Sequence, residues 1–489
     1  MTAIPKIELE SVDRFERDYK LRLPFRFGII TVTEGTQAVI RAKIALEDGR
    51  RAVGVAAEAL GAKWFDKSPA FSDAQNLDQL RQALGLAIEL YGARGWSTPF
   101  GLYADTYRDQ LARGAELGLV PLVASYGPAL LDRAILDALG RATELSFADM
   151  IRRNLAGIEA TDLTPDLAGY DLPGFLNKLR PGRDIAVRHT VGLLDPIVAG
   201  DQAPQDRVDD GLPETLEQVV RHYRGRYYKL KVAGDIEADL ARLTRIAAVL
   251  DRDAGDYRAT LDGNEQYDSV DGIAELWRRL RATPALEQLA AATLFIEQPI
   301  KRASALQKPV DALAKLKPLI IDESDGELAS FPTALRLGYS GVSSKNCKGL
   351  YKSILNAARV AKLNAEAGGP KYFMSAEDLT TLAGVSVQQD LALVALLGLT
   401  HVERNGHHFI DGMSFAPERE QAAFARAHPD LYDRSAGPAR LRIERGQLGL
   451  GSLGCPGFAV AADMDFAAMR PMPAAPSGRI APAFPEKLA

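Results

Sequence analysis

Five short segments, residues 227–231, 258–262, 294–297, 319–322 and 341–345, each run apolar or β-prone and then end on an ionisable side chain. Those ends are Lys231, Asp262, Glu297, Asp322 and Lys345, spaced 31, 35, 25 and 23 residues apart. Amphipathic stretches such as residues 235–250 and 269–280 fill the gaps. Strand and helix alternating at a repeat of roughly 30 residues is the rhythm of a parallel sheet.

A strand buried in a parallel sheet reads as a continuous apolar run. Charge at the last position of five successive strands is costly unless the charges meet partners. In a closed (β/α)8 barrel the C-terminal strand ends converge on one mouth. Three successive strands would then bring Asp262, Glu297 and Asp322 together. Three carboxylates repel one another unless a cation lies among them, and oxygen ligands without Cys or His favour Mg2+. The spacing and the lysine flanks argue against three unrelated surface acids. An EF-hand at Asp262-Gly-Asn264 is excluded, because position 6 would be Tyr267 and position 12 Ile273. Asp322 and Glu323 are adjacent and point to opposite faces, so one of the two is the expected ligand. Asn264 and Gln298 are candidates to orient the ligands.

Lys231 and Lys345 come from strands two and six, opposite each other in an eight-strand ring. A small molecule held between them would meet an ammonium on each face. That geometry removes a proton from one face of a carbon and returns it to either face. A lysine acting as a base near neutral pH needs a lowered pKa. A metal ion and the nearby Lys229 would push in that direction. The bland alternative is a pair of solvated lysines capping strands.

The combination Lys229-Leu-Lys231, Asp262-Gly-Asn264, Glu297-Gln-Pro299, Asp322-Glu-Ser324 and Lys345 resembles the enolase superfamily, and most closely its muconate lactonizing enzyme-like subgroup. The resemblance covers most of the chain. It implies a barrel with an α+β capping domain, one essential Mg2+, and a small-molecule substrate carboxylate bound to that ion. It implies Asp262, Glu297 and Asp322 as metal ligands and Lys231 and Lys345, with Lys229, as the proton-handling residues. The implied chemistry is abstraction of the proton α to a carboxylate through a metal-stabilised enediolate. Racemisation or epimerisation, or cycloisomerisation, is the first expectation. β-Elimination, as in acid-sugar dehydratases or o-succinylbenzoate synthase-like lyases, and a non-catalytic relative are the alternatives.

Relatives often place a Glu at the end of strand eight, where Glu403 stands and could hydrogen-bond the enolate. Mandelate racemase and many acid-sugar dehydratases use a His from strand seven, but residues 371–375 hold none. His407 and His408 come too late in the chain for that role. Lys348 follows Lys345 at a family-like spacing. Gly349-Leu350 stands where the family often has two glycines. Cys347 reads as a packed small residue. The match Gly449-Leu-Gly451-Ser-Leu-Gly454 to a dinucleotide loop is set aside, because Cys455-Pro456-Gly457 follows it instead of a helix opening.

The expected organisation is a capping domain with a helical extension over 1–180, a (β/α)8-like barrel over 183–405, and a segment 406–489 that returns to the cap. Residues 27–33, 37–46 and 52–58 are β-rich, with a hairpin turn at Glu47-Asp48-Gly49-Arg50. Residues 76–91 and 128–139 show helical periodicity. Residues 92–104, with Pro99 among glycines, read as a loop. Residues 439–444 read as a cap strand, and 474–489 as partly disordered. By family analogy, residues 24–28, with Arg26, close over the substrate. A later loop at 61–68, carrying Trp64 and Phe65, is the second part of that lid.

The net charge of −5 gives no basic footprint for nucleic acid. Two cysteines build no disulfide framework, and no apolar run is long enough for a membrane span. The expectation is a cytoplasmic homo-oligomer.

Overall fold

The computed structural model describes residues 4–28 and 30–484. β1 (Ile7–Phe27), β2 (Ile30–Leu46) and β3 (Arg51–Ala59) form an antiparallel sheet whose outer edge is completed by Arg470–Pro471, paired with Phe15 and Glu16. The Glu47–Arg50 turn joins β2 to β3, with Gly49 at φ 89° and Asp48 Oδ1 accepting from Arg50 N at 3.1 Å. β1 begins twenty residues before the first expected strand, and Ile29 of that expected strand lies outside the described residues. The run was missed because seven of residues 8–18 are charged; five of them reach solvent, while Glu16 and Arg17 are buried. Pro24 sits in β1 where the register with β2 shifts between Lys20 and Phe25, so its missing N–H breaks no regular ladder.

A short helix α1 (Ala62–Phe65) leads to α2 (Asp73–Arg94), α3 (Pro99–Glu116) and α4 (Pro121–Thr143). A Cβ on Gly54 of β3 would lie 2.1 Å from Ala134 O, and one on Gly127 would lie 2.0 Å from Ala83 O. These two glycines let α4 wedge between β3 and α2. The loop expected over 92–104 is confined to its middle. Gly95 turns at φ 69°, and Thr98 then caps α3 with Oγ1 accepting from Gly101 N at 2.9 Å. Pro99 is thus at the first turn of a helix, where its lost N–H costs nothing.

The barrel strands, one to eight, are β4 (Asp184–Val191), β5 (Tyr227–Lys231), β6 (Arg258–Asp262), β7 (Thr293–Glu297), β8 (Leu319–Ile321), β9 (Gly341–Ser344), β10 (Phe373–Ala376) and β11 (His401–Arg404). All neighbours are parallel, and β11 closes on β4 with Arg404 opposite His189. Strand seven starts two residues later than expected because Asn364 Oδ1 accepts from Lys371 N and Tyr372 N.

Residues 439–444 do not form one strand in the cap. Arg440–Leu441 pairs with Tyr432–Asp433, while Ile443–Glu444 pairs with Gln447–Gly449, which is antiparallel to β4. The chain bends between them, where Arg442 N donates to Leu431 O, so this part of the C-terminal segment pads the barrel wall. Further on, Gln82 Nε2 of α2 donates to Pro476 O and Gly478 O. Residues 485–489 of the expected disordered stretch lie outside the described residues. Among the described residues no helix is long and apolar enough to cross a membrane.

Candidate active site

Lys229 and Lys231 stand two apart on β5 and share the barrel interior; they are 1% and 6% exposed. Asp262 and Glu297 close β6 and β7, Asp322 and Lys345 lie one residue beyond β8 and β9, and Glu403 lies in β11. The strands thus bring all the expected acids and lysines to one buried mouth.

The Lys229 ammonium is the hub. Its Nζ lies 2.9 Å from Asp262 Oδ2, 2.8 Å from Glu297 Oε2, 2.8 Å from Glu377 Oε2 and 2.9 Å from Glu403 Oε2. Burial disfavours its charge, but the four carboxylates outweigh that and raise its pKa well above the usual lysine range. Lys231 Nζ donates to Asp262 Oδ2 at 2.5 Å. Lys345 Nζ donates to Asp322 Oδ2 at 2.6 Å. Asp322 also accepts from Ser343 Oγ, and from Lys348 Nζ at 3.3 Å.

Burial pushes the Glu297 carboxyl far up, and the negative charges of Asp262 and Glu377 add to it. Burial also works against Asp262 and Asp322 as anions, but the ammoniums of Lys229 and Lys231, and of Lys345 and Lys348, hold both below the usual carboxylate range. Without a metal, buried Lys345 is held above its ordinary value, because Asp322 is an anion 2.6 Å away.

The supporting groups are specific. Asn264, at φ 39°, donates from N to Asp262 Oδ1 at 2.8 Å and from Nδ2 to Glu323 Oε1 at 3.1 Å. Gln298 Oε1 accepts from Asp322 N at 2.8 Å and Ser324 N at 3.1 Å, which pins the turn after β8. Glu403 accepts from Thr190 Oγ1 at 2.6 Å and Asp378 N at 2.9 Å. Glu323 faces Asn264 and Lys67, away from the Lys345–Lys348 side that Asp322 takes.

The cap covers the mouth. The Lys345 ammonium lies 4.2 Å from the centroid of the Trp64 ring, which is 4% exposed. Arg302 donates to Trp64 O at 2.9 Å and Phe65 O at 2.8 Å. Lys67 reaches Glu265 at 2.6 Å and Glu323 at 3.3 Å. Arg26 does not join the cluster; its Nε donates to Gly28 O at 3.4 Å. Phe25 instead packs on Phe409 beyond strand eight, centroid to centroid 4.4 Å. A cavity of about 470 Å³, lined in part by His222, Tyr223, His407 and Arg440, is lined by none of the clustered acids and lysines.

The remaining sequence candidates sit elsewhere. His407 Nε2 meets His189 Nδ1 at 3.3 Å in a buried imidazole group with His408. Cys347 is buried, and burial pushes its thiol up. Gly449 ends the strand paired with β4, and Gly451–Gly454 forms a single tight turn, with Ser452 N bonded to Asp430 Oδ2 at 2.9 Å.

Glu377 and Arg188 were missed in the sequence. Arg188 on β4 is fully buried and donates to Glu377, to Ala376 O at 2.9 Å and to Ser375 Oγ at 3.1 Å. The signal for Glu377 was present: residues 373–377 repeat the pattern of a β-prone run ending in charge. Arg188 inside the apolar run 185–191 was the matching sign on strand one.

The donor set was tested for Mg2+. Asp262, Glu297 and Asp322 offer only hard oxygens from adjacent strand ends, and buried Glu297 Oε2 meets the shared Lys229 ammonium at 2.8 Å without a well-formed hydrogen bond of its own. The residues therefore fit a hard divalent cation in kind. Ammoniums lie on those oxygens in this structure, and among the described residues no three acidic, His or Cys side chains are arranged around a common metal point.

No protein-family model matches the chain, and no curated protein matches it in sequence. Solved structures do match it. A dipeptide epimerase from Cytophaga hutchinsonii, complexed with Mg and the dipeptide D-Ala-L-Val, is 14% identical with a TM-score of 0.59, covering 95% of this chain and 98% of that one. An enolase from Bradyrhizobium, complexed with magnesium and mandelic acid, is 15% identical with a TM-score of 0.57, covering 96% and 98%. A muconate lactonizing enzyme from Pseudomonas fluorescens, complexed with muconolactone, is 16% identical with a TM-score of 0.57, covering 94% and 98%. The fold is therefore that of enolase-superfamily structures, a (β/α)8 barrel with a capping domain.

Proposed function

We propose that the protein abstracts and returns the proton α to the carboxylate of a small organic acid, with Mg2+ as cofactor, and that the outcome is racemisation or epimerisation. The observation that carries this is the pair of buried lysines, Lys231 and Lys345, presented from opposite strands of one ring. Each is bonded to a carboxylate of the same cluster. The dipeptide epimerase and the magnesium–mandelic acid complex that share the fold support the reading.

Asp262, Glu297 and Asp322 would hold the Mg2+, which when bound supplies a Lewis acid for negative charge developing on the substrate carboxylate. This chain's own groups do the rest. Lys345, kept as an ammonium by Asp322, delivers a proton to one face of the α-carbon. Lys231, entering the step as the free amine, takes the α-proton from the other face and becomes the ammonium; in the reverse direction Lys345 is the free amine that takes the proton and Lys231 the ammonium that returns it. Lys229 and Glu403 fix positive and negative charge beside the reacting centre. Trp64 over Lys345 keeps bulk water from the ammonium, so the cap must lift for substrate to enter.

The test is exchange in D2O. Wild-type protein with Mg2+ is incubated with a panel of chiral α-substituted acids, including dipeptides, N-acyl amino acids and 2-hydroxy acids. Proton NMR and chiral separation are then recorded. We expect α-deuteration with stereoisomer conversion for at least one class, abolished by EDTA. No exchange across the panel, or exchange indifferent to EDTA, overturns the proposal.

A further inference from the structure

Lys229 touches two kinds of carboxylate. Asp262 and Glu297 are the two acids that the proposed function gives to the metal, and the inference below rests on that reading. Glu377 and Glu403 are held by the barrel wall. Glu377 is fixed from beneath by Arg188 and Ser375 Oγ, and Arg188 is itself tied to Ala376 O at 2.9 Å and His401 Nδ1 at 2.8 Å. Glu403 is fixed by Thr190 Oγ1 and Asp378 N. All of these side chains except His401 are buried.

An ammonium carries three N–H donors, so four carboxylates at 2.8–2.9 Å share them. A divalent cation drawing on Asp262 and Glu297 repels an ammonium on the same oxygens. Lys229 is 1% exposed, and the same ammonium already has two wall-fixed carboxylates, Glu377 and Glu403, within contact.

We propose that Glu377 and Glu403 form a seat that keeps Lys229 in place when Asp262 and Glu297 engage a divalent cation, with Arg188 holding Glu377 as a positioning residue. The seat turns Lys229 from a competitor of the metal into a fixed positive charge next to it. Without the seat, Lys229 presses onto Asp262 and Glu297 and weakens metal binding.

The test is a double-mutant cycle read by calorimetric Mg2+ titration, not by turnover. Glu377→Gln is expected to weaken Mg2+ binding about tenfold, the scale of coupling between contacting charged groups. Lys229→Met is expected to tighten it. In the Lys229→Met background, Glu377→Gln is expected to change affinity less than about twofold, because its effect runs through Lys229. Equal weakening in both backgrounds would mean that Glu377 acts only as distant charge, and would overturn the seat; so would no weakening in either. Thermal melts monitor folding. If Glu377→Gln does not fold, Glu403→Gln replaces it in the same cycle with the same expected and overturning outcomes. A wild type that binds no Mg2+ would overturn the metal reading itself, and the seat with it.

Discussion

Truncating Lys345 to Ala removes an ammonium 2.6 Å from Asp322 and 4.2 Å from the Trp64 ring centroid. Asp322 is not left stranded, because Lys348 at 3.3 Å, Ser343 Oγ and the Gln298-pinned backbone remain. The structural cost is then mainly the lost contact with the indole, about 0.5–2 kcal/mol. The catalytic cost is larger. A positioned acid or base contributes roughly 10²–10⁴ in rate, or about 3–5 kcal/mol of barrier. Stereoisomer conversion should therefore fall by roughly 10²–10⁴ with the melting curve little moved. Lys231→Ala should do the same, since Asp262 keeps Lys229 at 2.9 Å. Conversion needs both faces, whereas deuterium exchange needs one. Each variant should still wash deuterium into the isomer whose α-proton faces the surviving lysine, and the two variants should select opposite isomers. The assay is proton NMR in D2O on each separated stereoisomer, with chiral analysis of the recovered acid. Full conversion in both variants refutes the paired-lysine argument. Loss of all exchange in one variant and none in the other would mean a single base.

Asp262→Ala and Glu297→Ala should each abolish calorimetric Mg2+ binding while circular dichroism shows a folded barrel; wild-type-like affinity in both would sink the metal site. Comparing Asp322→Ala with Glu323→Ala identifies the third ligand, and the expected loss is with Asp322. Trp64→Ala should raise KM or alter substrate preference more than it alters Mg2+ affinity, and unchanged kinetics over several substrates would count against a lid at 61–68. Burial depresses the His189 pKa to about 3. The unfolded chain therefore takes up a proton near 6.5 that the folded chain refuses. Stability from this group is complete above pH 6.5 and is lost as pH falls toward 3, by roughly 2 kcal/mol at pH 5. His189→Phe should flatten the denaturation midpoint between pH 7 and 5, and an unchanged slope would refute this.

The parallel sheet was legible because its signal is local: an apolar run, then a charge, repeated with helical spacers. Residues 227–345 carry that signal without interruption. The same rule reaches Glu377, but the Phe373-Met-Ser-Ala run before it is a weaker β signal than Leu319-Ile-Ile, and Glu377 was passed over. β1 was hidden by its charge, part of it exposed and part, at Glu16 and Arg17, buried. α3 was hidden by Pro99 and Gly101, which punctuate loops unless Thr98 is recognised as a cap. The Lys229 hub could not be read at all. Its partners lie 33, 68, 148 and 174 residues away, and only the closed ring shows that they meet at one nitrogen. Sequence alone put Lys229 beside Lys231 as an auxiliary charge; the contacts make it the centre.

The pairing of Arg470–Pro471 with β1 has a consequence for how the chain assembles. Glu16 of β1 is fully buried and meets Arg81 at 2.7 Å and Arg470 at 3.2 Å, the latter a partner 454 residues distant. Its neighbour Arg17 is bonded to Glu420 across 403 residues. A ribosome therefore releases the first hairpin long before it makes the residues that neutralise and seal it. Until then β1 is an open edge on which Glu16 has Arg81 but not Arg470 and Arg17 lacks its carboxylate, the kind of surface that recruits other chains. Contacts of such long loop length also slow the final step of folding. A sheet made ahead of the barrel is thus sealed only after it, and the yield in a cell should depend on what shields that edge in the interval.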